Sequence, residues 1–297
     1  MKDDLRDSMK TTLVEALRLC ATHARNDVLV AIKSAIETET STIARDQLSC
    51  ILNNMRMGIR NSLPYCQDTG SIHFFLRLGD GFPIRSGLPE LLREVIQDAT
   101  ALIPLRPNTV DPVSEMNLSA NLGNCIPDID IILVPGDKLQ VDVMLKGGGS
   151  ENMSQLIMLP PLKALESLPS LIARIVVDAG GKPCPPIILG IGIGGSASSC
   201  MKMAKKSILR PLGRSNSRPE LAELESKIHS RVNGLGIGTM GLGGDVTALA
   251  VHLESCPRHP ASFPVGVIFQ CYAHRHARIT ISPNGSCKIR DDFSNAF

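Results

Sequence analysis

The segment CPPIILGIGIGGSASSC, at residues 184–200, constrains the fold more than any other part of the sequence. Its unbroken apolar stretch at residues 185–190 predicts a short buried strand. Glycine and serine residues follow at once, and the next residues predict a helix that ends near residue 209. Strand and helix patterns also mix along the rest of the chain. The sequence therefore predicts an α/β or mixed α+β fold.

Most of the remaining elements follow from the spacing of apolar residues. Helices are predicted within residues 5–60 and over residues 88–103, 162–178, 220–232 and 246–254. Strands are predicted over residues 72–78 and 264–270, and hairpins over residues 129–145, around Pro-Gly-Asp-Lys, and 277–290, around Pro-Asn-Gly. Because no clear boundary divides the chain, we predict a single domain over residues 1–297.

The composition argues against several classes of function. The 297 residues include no Trp and only two Tyr, so an aromatic platform for stacking nucleic-acid bases is not expected. The net charge of +2 is too balanced to indicate nucleic-acid or membrane binding. No apolar run approaches the roughly 18–20 residues that span a bilayer. The charged N-terminal segment does not resemble a signal peptide, so we predict a cytoplasmic protein.

Two glycine-rich segments match the Gly-x-Gly-x-x-Gly pattern of dinucleotide-binding turns. They comprise Gly190, Gly192 and Gly195, and Gly236, Gly238 and Gly241. A ribose-binding acid is expected about 20 residues after such a turn. After the first segment that region is basic and rich in serine. We therefore favour close backbone packing over nucleotide binding as the reason for these glycines, and a nucleotide-binding oxidoreductase remains the alternative.

Cysteine and histidine residues suggest two further sites. Cys256, His259, Cys271 and His274 form two Cys-x-x-His pairs, which would suit tetrahedral zinc in a non-catalytic interaction subunit. Against this interpretation, a buried strand is predicted between the pairs, whereas a zinc finger of this size needs the metal to form its core. The alternative is an iron–sulfur cluster with widely spaced ligands.

Cys66, Cys184 and Cys271 are the candidate cluster ligands, because each stands at a predicted strand–turn junction beside Gly, Pro or polar residues. Three thiolates on a four-iron cluster leave one iron open to act as a Lewis acid. The other cysteines on helical stretches, Cys20, Cys50 and Cys200, are interpreted as core thiols. Spacing alone does not decide between the cluster and the alternatives.

Seven motifs, in order over residues 10–290, resemble the iron–sulfur hydro-lyases. This family includes the class I fumarases and the alpha subunits of two-subunit fumarase and L(+)-tartrate dehydratase. The motifs are CQDTG (66–70), LRPNTVDP (105–112), KGGGSEN (146–152), CPPIILGIGIGG (184–195), KKSILRPLG (205–213), LGIGTMGLGGD (235–245) and RHPASFPVGVIFQCYAHR (258–275). The resemblance implies a fold like the N-terminal domain of class I fumarase, with several short β-sheets surrounded by many helices.

The resemblance also implies a set of site residues. Cys66, Cys184 and Cys271 would hold a 4Fe–4S cluster with one open iron. Asp68 would transfer a proton to or from the departing water, and His259 matches an active-site histidine of the family. The predicted substrate-binding residues are Gln67, Arg106, Gly148 and Gly149. Tyr272 and His276 depart from the family, whose members commonly carry Trp and Arg there.

By the same resemblance the chain is expected to be an alpha subunit. Longer single-chain members carry a second domain with further arginines and a catalytic base, whereas this sequence stops at Phe297. We therefore expect a separate beta subunit, a hetero-oligomer, and little activity for the chain alone. The KGGGSEN loop looks more like the fumarase version, which favours reversible hydration of fumarate to malate, a tricarboxylic acid cycle reaction. L(+)-tartrate dehydration is the alternative.

Overall fold

The computed structural model describes residues 2–290 and residue 293. Contacts within the chain divide it into two compact units, each built from separate segments. Unit 1 takes its residues from Met1–Asn26, Asn54–Gly148 and His274–Phe297, and unit 2 takes its residues from Asp27–Asn53 and Gly149–Ala273. The single domain over residues 1–297 stays a prediction.

Helices and strands alternate along much of the described chain. The helices are α1 (Lys2–Thr22), α2 (Asn26–Thr38), α3 (Thr42–Asn61), α4 (Leu88–Leu102), α5 (Gly148–Glu151), α6 (Ala164–Ala179), α7 (Ala197–Ser207) and α8 (Pro219–Asn233). The strands are β1 (Ser71–Gly79), β2 (Asp128–Val134), β3 (Leu139–Lys146), β4 (Gln155–Leu159), β5 (Ile187–Ile193), β6 (Ala248–Ser255), β7 (Phe263–Gln270), β8 (Arg275–Ile281) and β9 (Cys287–Ile289). The predicted mixed α/β fold is confirmed.

Unit 1 is built on a five-stranded sheet with the strand order β2-β1-β3-β8-β9. Helices α1 and α4 pack against each other, and α1 also contacts β8. Alternate residues of the central strands, such as Phe74, Val143 and Ile279, join apolar residues of the two helices in one buried cluster. This core fixes the ends of β1, β3 and β8.

Unit 2 is built on a four-stranded sheet with the strand order β4-β7-β5-β6. β5 and β6 are parallel, whereas β7 runs antiparallel to β5. Helix α7 packs on β5 and β7. A Cβ atom at Gly190 would lie 2.3 Å from the carbonyl oxygen of Ala204, and one at Gly192 would lie 2.4 Å from that of Cys200. These glycines therefore allow α7 to approach the strand, as the packing interpretation predicts.

The hairpin predicted over residues 129–145 is wrong. Both of its strands form, as β2 and β3, but they do not pair with each other. β1 lies between them, parallel to β2 and antiparallel to β3, with His73 opposite both Asp128 and Met144. A turn signal is local, whereas β1 is apolar enough to take the central position in the sheet.

The helix predicted over residues 246–254 is also wrong, because most of this segment is β6. Its Ala, Leu and Glu residues have good helix propensity, but pairing along the whole of β5 outweighs that local preference. The structure also corrects the interpretation of Cys50, which is exposed on α3 rather than part of the core. Within the described residues, none of the helices is both long and apolar enough to cross a bilayer.

Candidate functional site

The turn before β1 holds the Asp68 side chain in one position. Oδ1 of Asp68 accepts hydrogen bonds from the main-chain nitrogen of Gly70, at 2.7 Å, and from Nδ2 of Asn108, at 2.9 Å. Oδ2 accepts a hydrogen bond of 2.8 Å from the main-chain nitrogen of Gly148. Three N–H donors from three chain segments therefore orient one half-buried carboxylate.

Two further hydrogen bonds fix the backbone of this turn. The buried hydroxyl of Thr69 donates to the carbonyl oxygen of Arg106 at 2.9 Å, and Nη1 of Arg275 donates to the carbonyl oxygen of Asp68 at 2.6 Å. Gly70 has a φ of +78°, and a Cβ atom there would lie 2.6 Å from the carbonyl oxygen of Lys146. Only glycine lets the turn approach β3 this closely in that conformation.

A cavity of about 320 Å³ lies beside the turn in unit 1. Cys66, Gln67, Arg106 and Arg275 are among its lining residues, all of which are described, and none of these is acidic. Cys66 is half-buried, whereas Gln67 and Arg106 are exposed. Unit 1 thus brings together five of the predicted site residues: Cys66, Gln67, Asp68, Arg106 and Gly148.

In unit 2, Cys184 and Cys271 lie at the same end of the four-stranded sheet. Cys184 precedes the first residue of β5 by three positions, and Cys271 follows the last residue of β7. Because the two strands are antiparallel and Ile188 pairs with Gln270, these ends coincide. Cys184 has a φ of +56°, a left-handed conformation that is uncommon for a residue other than glycine. Gly149 is also near, since a Cβ atom there would lie 3.5 Å from the carbonyl oxygen of Lys182.

His259 lies in the loop between β6 and β7, at the other end of that sheet. Its exposed ring accepts a hydrogen bond of 3.2 Å from the main-chain nitrogen of Ala261. The loop is attached to the end of β5 by a hydrogen bond from Gly195 to the carbonyl oxygen of Pro257. Within unit 2, the structure therefore does not bring His259 together with Cys184 and Cys271.

The same register rules out the zinc site of the two Cys-x-x-His pairs. Both cysteines can be placed along β5. Cys256 follows Ser255, which pairs with Ile193, and Cys271 follows Gln270, which pairs with Ile188. Five residues of β5 separate these levels by roughly 17 Å, at about 3.3 Å per residue, while a zinc–sulfur bond is about 2.3 Å. Across the described residues, no group of three or more His, Cys, Asp or Glu side chains could hold a single metal ion such as zinc.

Burial separates the nine cysteines, all of them described. Cys20 and Cys200 are buried, and burial raises the pKa of Cys20 to about 12 and that of Cys200 to about 11. Both are core thiols, as predicted. The half-buried cysteines are Cys66, Cys184, Cys271 and Cys287. A cluster ligand has to be reachable yet shielded from bulk water, so the three predicted ligands fit in burial and in donor chemistry.

Comparison with known proteins settles the family. The family described as fumarate hydratase (fumerase) matches residues 10–280. The chain belongs to the fumarate hydratase family. A putative L(+)-tartrate dehydratase subunit alpha of Methanocaldococcus jannaschii is 40% identical to it over 269 residues, which cover 89% of this chain and 94% of that protein. An L(+)-tartrate dehydratase subunit alpha of Escherichia coli is 33% identical over 264 residues, covering 89% and 87%.

Sequence reasoning about this fumarate hydratase family chain missed two residues that shape the site. Asn108 stands inside the LRPNTVDP motif and Arg275 ends the CYAHR segment, so both were within quoted motifs. Neither pattern shows that Asn108 reaches Asp68 or that Arg275 is buried. Only the fold reveals these contacts, because they join segments 40 and 207 residues apart.

Proposed function

We propose that this chain is the cluster-binding alpha subunit of a two-subunit iron–sulfur hydro-lyase, which hydrates fumarate reversibly to malate. The family match and the alpha-subunit relatives support a hydro-lyase of this kind. The observation that carries the proposal is the Asp68 carboxylate, held by three N–H donors two residues after Cys66. A charged group held so firmly in a turn suits proton transfer better than a solvated surface position.

Cys66, Cys184 and Cys271 would hold the 4Fe–4S cluster. When bound, the cluster supplies a Lewis-acidic iron that activates water. Asp68 takes up or returns a proton at its carboxylate as water is added or removed. The amide of Gln67 and the guanidinium of Arg106 bind a substrate carboxylate, since both are exposed on the lining of one cavity. The N–H groups of Gly148 and Gly149 orient the Asp68 side chain and the substrate.

His259 cannot serve the same site as Cys271 of its own chain. It lies at the opposite end of β7 from Cys271, so the chain that supplies Cys271 does not also bring His259 to it. We propose that His259 serves the site of a second copy of the chain. The assembly would then contain two alpha subunits and the beta subunits, in agreement with the predicted hetero-oligomer.

L(+)-tartrate is the second candidate substrate, because both relatives described above are named as L(+)-tartrate dehydratase alpha subunits. Co-expression of the chain with its beta subunit, followed by anaerobic assays with fumarate, L-malate and L(+)-tartrate, separates the two. We expect the highest kcat/KM with fumarate and malate. Preference for tartrate would shift the proposal to the second candidate, and no hydro-lyase activity would overturn it. We place the enzyme in the cytoplasm, where cysteines stay reduced.

A further inference from the structure

Arg275 is an unusual core residue. Its side chain is only 1% exposed, and it is among the largest fully buried side chains of the described protein. It begins β8 on the same face of the strand as Ala277 and Ile279, which point into the apolar core of unit 1. A buried guanidinium is unfavourable unless its N–H groups are paired, so this position calls for an explanation.

The hydrogen bonds of Arg275 leave one edge of the guanidinium unsatisfied. Nη1 donates to the carbonyl oxygen of Asp68 at 2.6 Å. Among the residues that the structure describes, Nε and Nη2 have no hydrogen-bond partner. These two nitrogens form one side of the planar group, and their parallel N–H bonds match the two oxygens of a carboxylate. The unsatisfied edge therefore has the geometry of a carboxylate-binding fork.

The cavity next to Arg275 has the complementary chemistry. Its lining residues include two arginines, Arg275 and Arg106, and two residues with carboxamide side chains, Gln67 and Asn54. Its described lining contains no carboxylate that would neutralise either arginine. Its volume of about 320 Å³ falls in the range of pockets that hold small molecules, which begins at about 300 Å³. The cavity is therefore suited to a small anion.

We propose that this cavity binds one carboxylate of the substrate and that Arg275 is the buried residue that anchors it. Nε and Nη2 would donate to the two carboxylate oxygens, with Arg106 and Gln67 closing the exposed side. The bond from Nη1 to Asp68 ties this anchor to the turn that carries the proposed proton-transfer group. The inference rests on the proposed function for the class of ligand, a small dicarboxylate.

The test uses the full chain without cluster and succinate, a dicarboxylate that does not react. Isothermal titration calorimetry compares the wild type with Arg275→Gln, Arg275→Lys and the control Arg93→Gln. Arg93 is half-buried in unit 1 and donates to the carbonyl oxygens of Gly123 and Ile126. Arg93→Gln therefore removes one positive charge from unit 1, as Arg275→Gln does. We expect Kd to rise by about tenfold or more in both Arg275 variants and to stay unchanged in Arg93→Gln.

A second variant keeps the test decisive if Arg275→Gln fails to fold. Leu63 is 53% exposed and lines the cavity, so Leu63→Trp should fill the cavity and abolish succinate binding without touching the core. No succinate binding to the wild type, or binding that Arg275→Lys and Leu63→Trp leave unchanged, overturns the inference. Iron and sulfide content after reconstitution reports separately on the proposed function. A chain that binds succinate through Arg275 but takes up no cluster would overturn that function and leave the anion site standing.

Discussion

The main-chain nitrogen of Gly148 donates a hydrogen bond of 2.8 Å to Oδ2 of Asp68, across 80 residues of sequence. This contact joins the CQDTG turn to the KGGGSEN loop, two of the three segments for which the resemblance predicts substrate contacts. The carboxylate is shared with Asn108, which donates to the other oxygen. Asp68 is therefore the residue at which the segments of the proposed site in unit 1 meet.

Replacing Asp68 by Asn should remove the proton acceptor and keep nearly the same shape. We expect kcat of the alpha–beta enzyme to fall by about 10²- to 10⁴-fold, because that is the usual contribution of a positioned acid or base. Iron content should not change. Steady-state assays and iron analysis check both statements. Asp137→Asn, a change at an exposed turn carboxylate in unit 1, is the control and should keep full activity. Full activity in Asp68→Asn would exclude the proposed proton transfer.

His259 gives a test of the proposed assembly. Asp68→Asn and His259→Asn chains should each have little activity with the beta subunit. If His259 serves a second copy, mixed assemblies contain one site in which both residues are intact. Random pairing then restores about a quarter of wild-type activity, since half of the pairs are mixed and one of their two sites works. Activity after co-refolding or co-expression is the measurement.

A mixture of Asp68→Asn and Cys66→Ser chains is the matched control for this experiment. These residues stand two positions apart in one turn, so they belong to the same site in any assembly, and no activity should return. If the His259 mixture stays as inactive as this control, His259 does not act in a second copy.

The close contact of α7 with β5 predicts a large effect of one methyl group. In Gly190→Ala the new Cβ atom would lie 2.3 Å from the carbonyl oxygen of Ala204, so helix and strand must separate. We expect the free energy of unfolding to fall by about 1–3 kcal/mol or more, as for other overpacked cores. Denaturant titration measures this change. Gly87→Ala is the control, since its Cβ atom would have no neighbour closer than 3.8 Å. Equal stability of the two variants would contradict the packing.

His252 predicts a pH dependence of stability. It is 2% exposed in β6, its Nδ1 lies 3.1 Å from the carbonyl oxygen of Ser207, and burial lowers its pKa from 6.5 to about 4. The folded state binds the His252 proton less well than the unfolded chain does. The stabilisation that comes from keeping this histidine neutral is therefore complete above about pH 6.5. It is lost as the pH falls toward 4, and it amounts to about 3 kcal/mol.

The variant His252→Gln removes this titration and leaves the carboxylates of the chain unchanged. Denaturant unfolding at several pH values measures how far the free energy of unfolding falls between pH 6.5 and 4. This fall should be smaller by about 3 kcal/mol in the variant than in the wild type. Equal declines in the two proteins would show that His252 is not held neutral by the fold.

The sequence predicted the elements of this fold better than their pairing. The strands of residues 72–78 and 264–270 and the helix near residues 162–178 form where their apolar spacing indicates. The pairing of residues 129–145 could not be predicted, because it depends on β1, a strand about 50 residues earlier in the chain. The segment that forms β6 was mistaken for a helix because only its parallel partner β5 makes it extended.

For the candidate site as well, the sequence predicted residues better than the contacts between them. The resemblance predicted Cys66, Gln67, Asp68, Arg106 and Gly148, and unit 1 brings these residues together. It also predicted His259, which the sheet register separates from Cys184 and Cys271 within unit 2. The burial of Arg275 could not be predicted, since arginine side chains are ordinarily exposed. The residue types at the site could be predicted from the sequence, whereas the contacts between distant segments could not.

The central claim is that Cys66, Cys184 and Cys271 hold one four-iron cluster with an open iron. Anaerobic reconstitution of the chain with iron and sulfide, followed by metal analysis and Mössbauer spectroscopy with and without malate, tests it most directly. The account predicts about four irons and four sulfides per chain, with the signal of one iron changed by malate. Cys66→Ser should lose this iron, whereas Cys125→Ser, at an exposed cysteine, should keep it. Stoichiometric zinc without sulfide, or equal iron loss in both variants, would contradict the account.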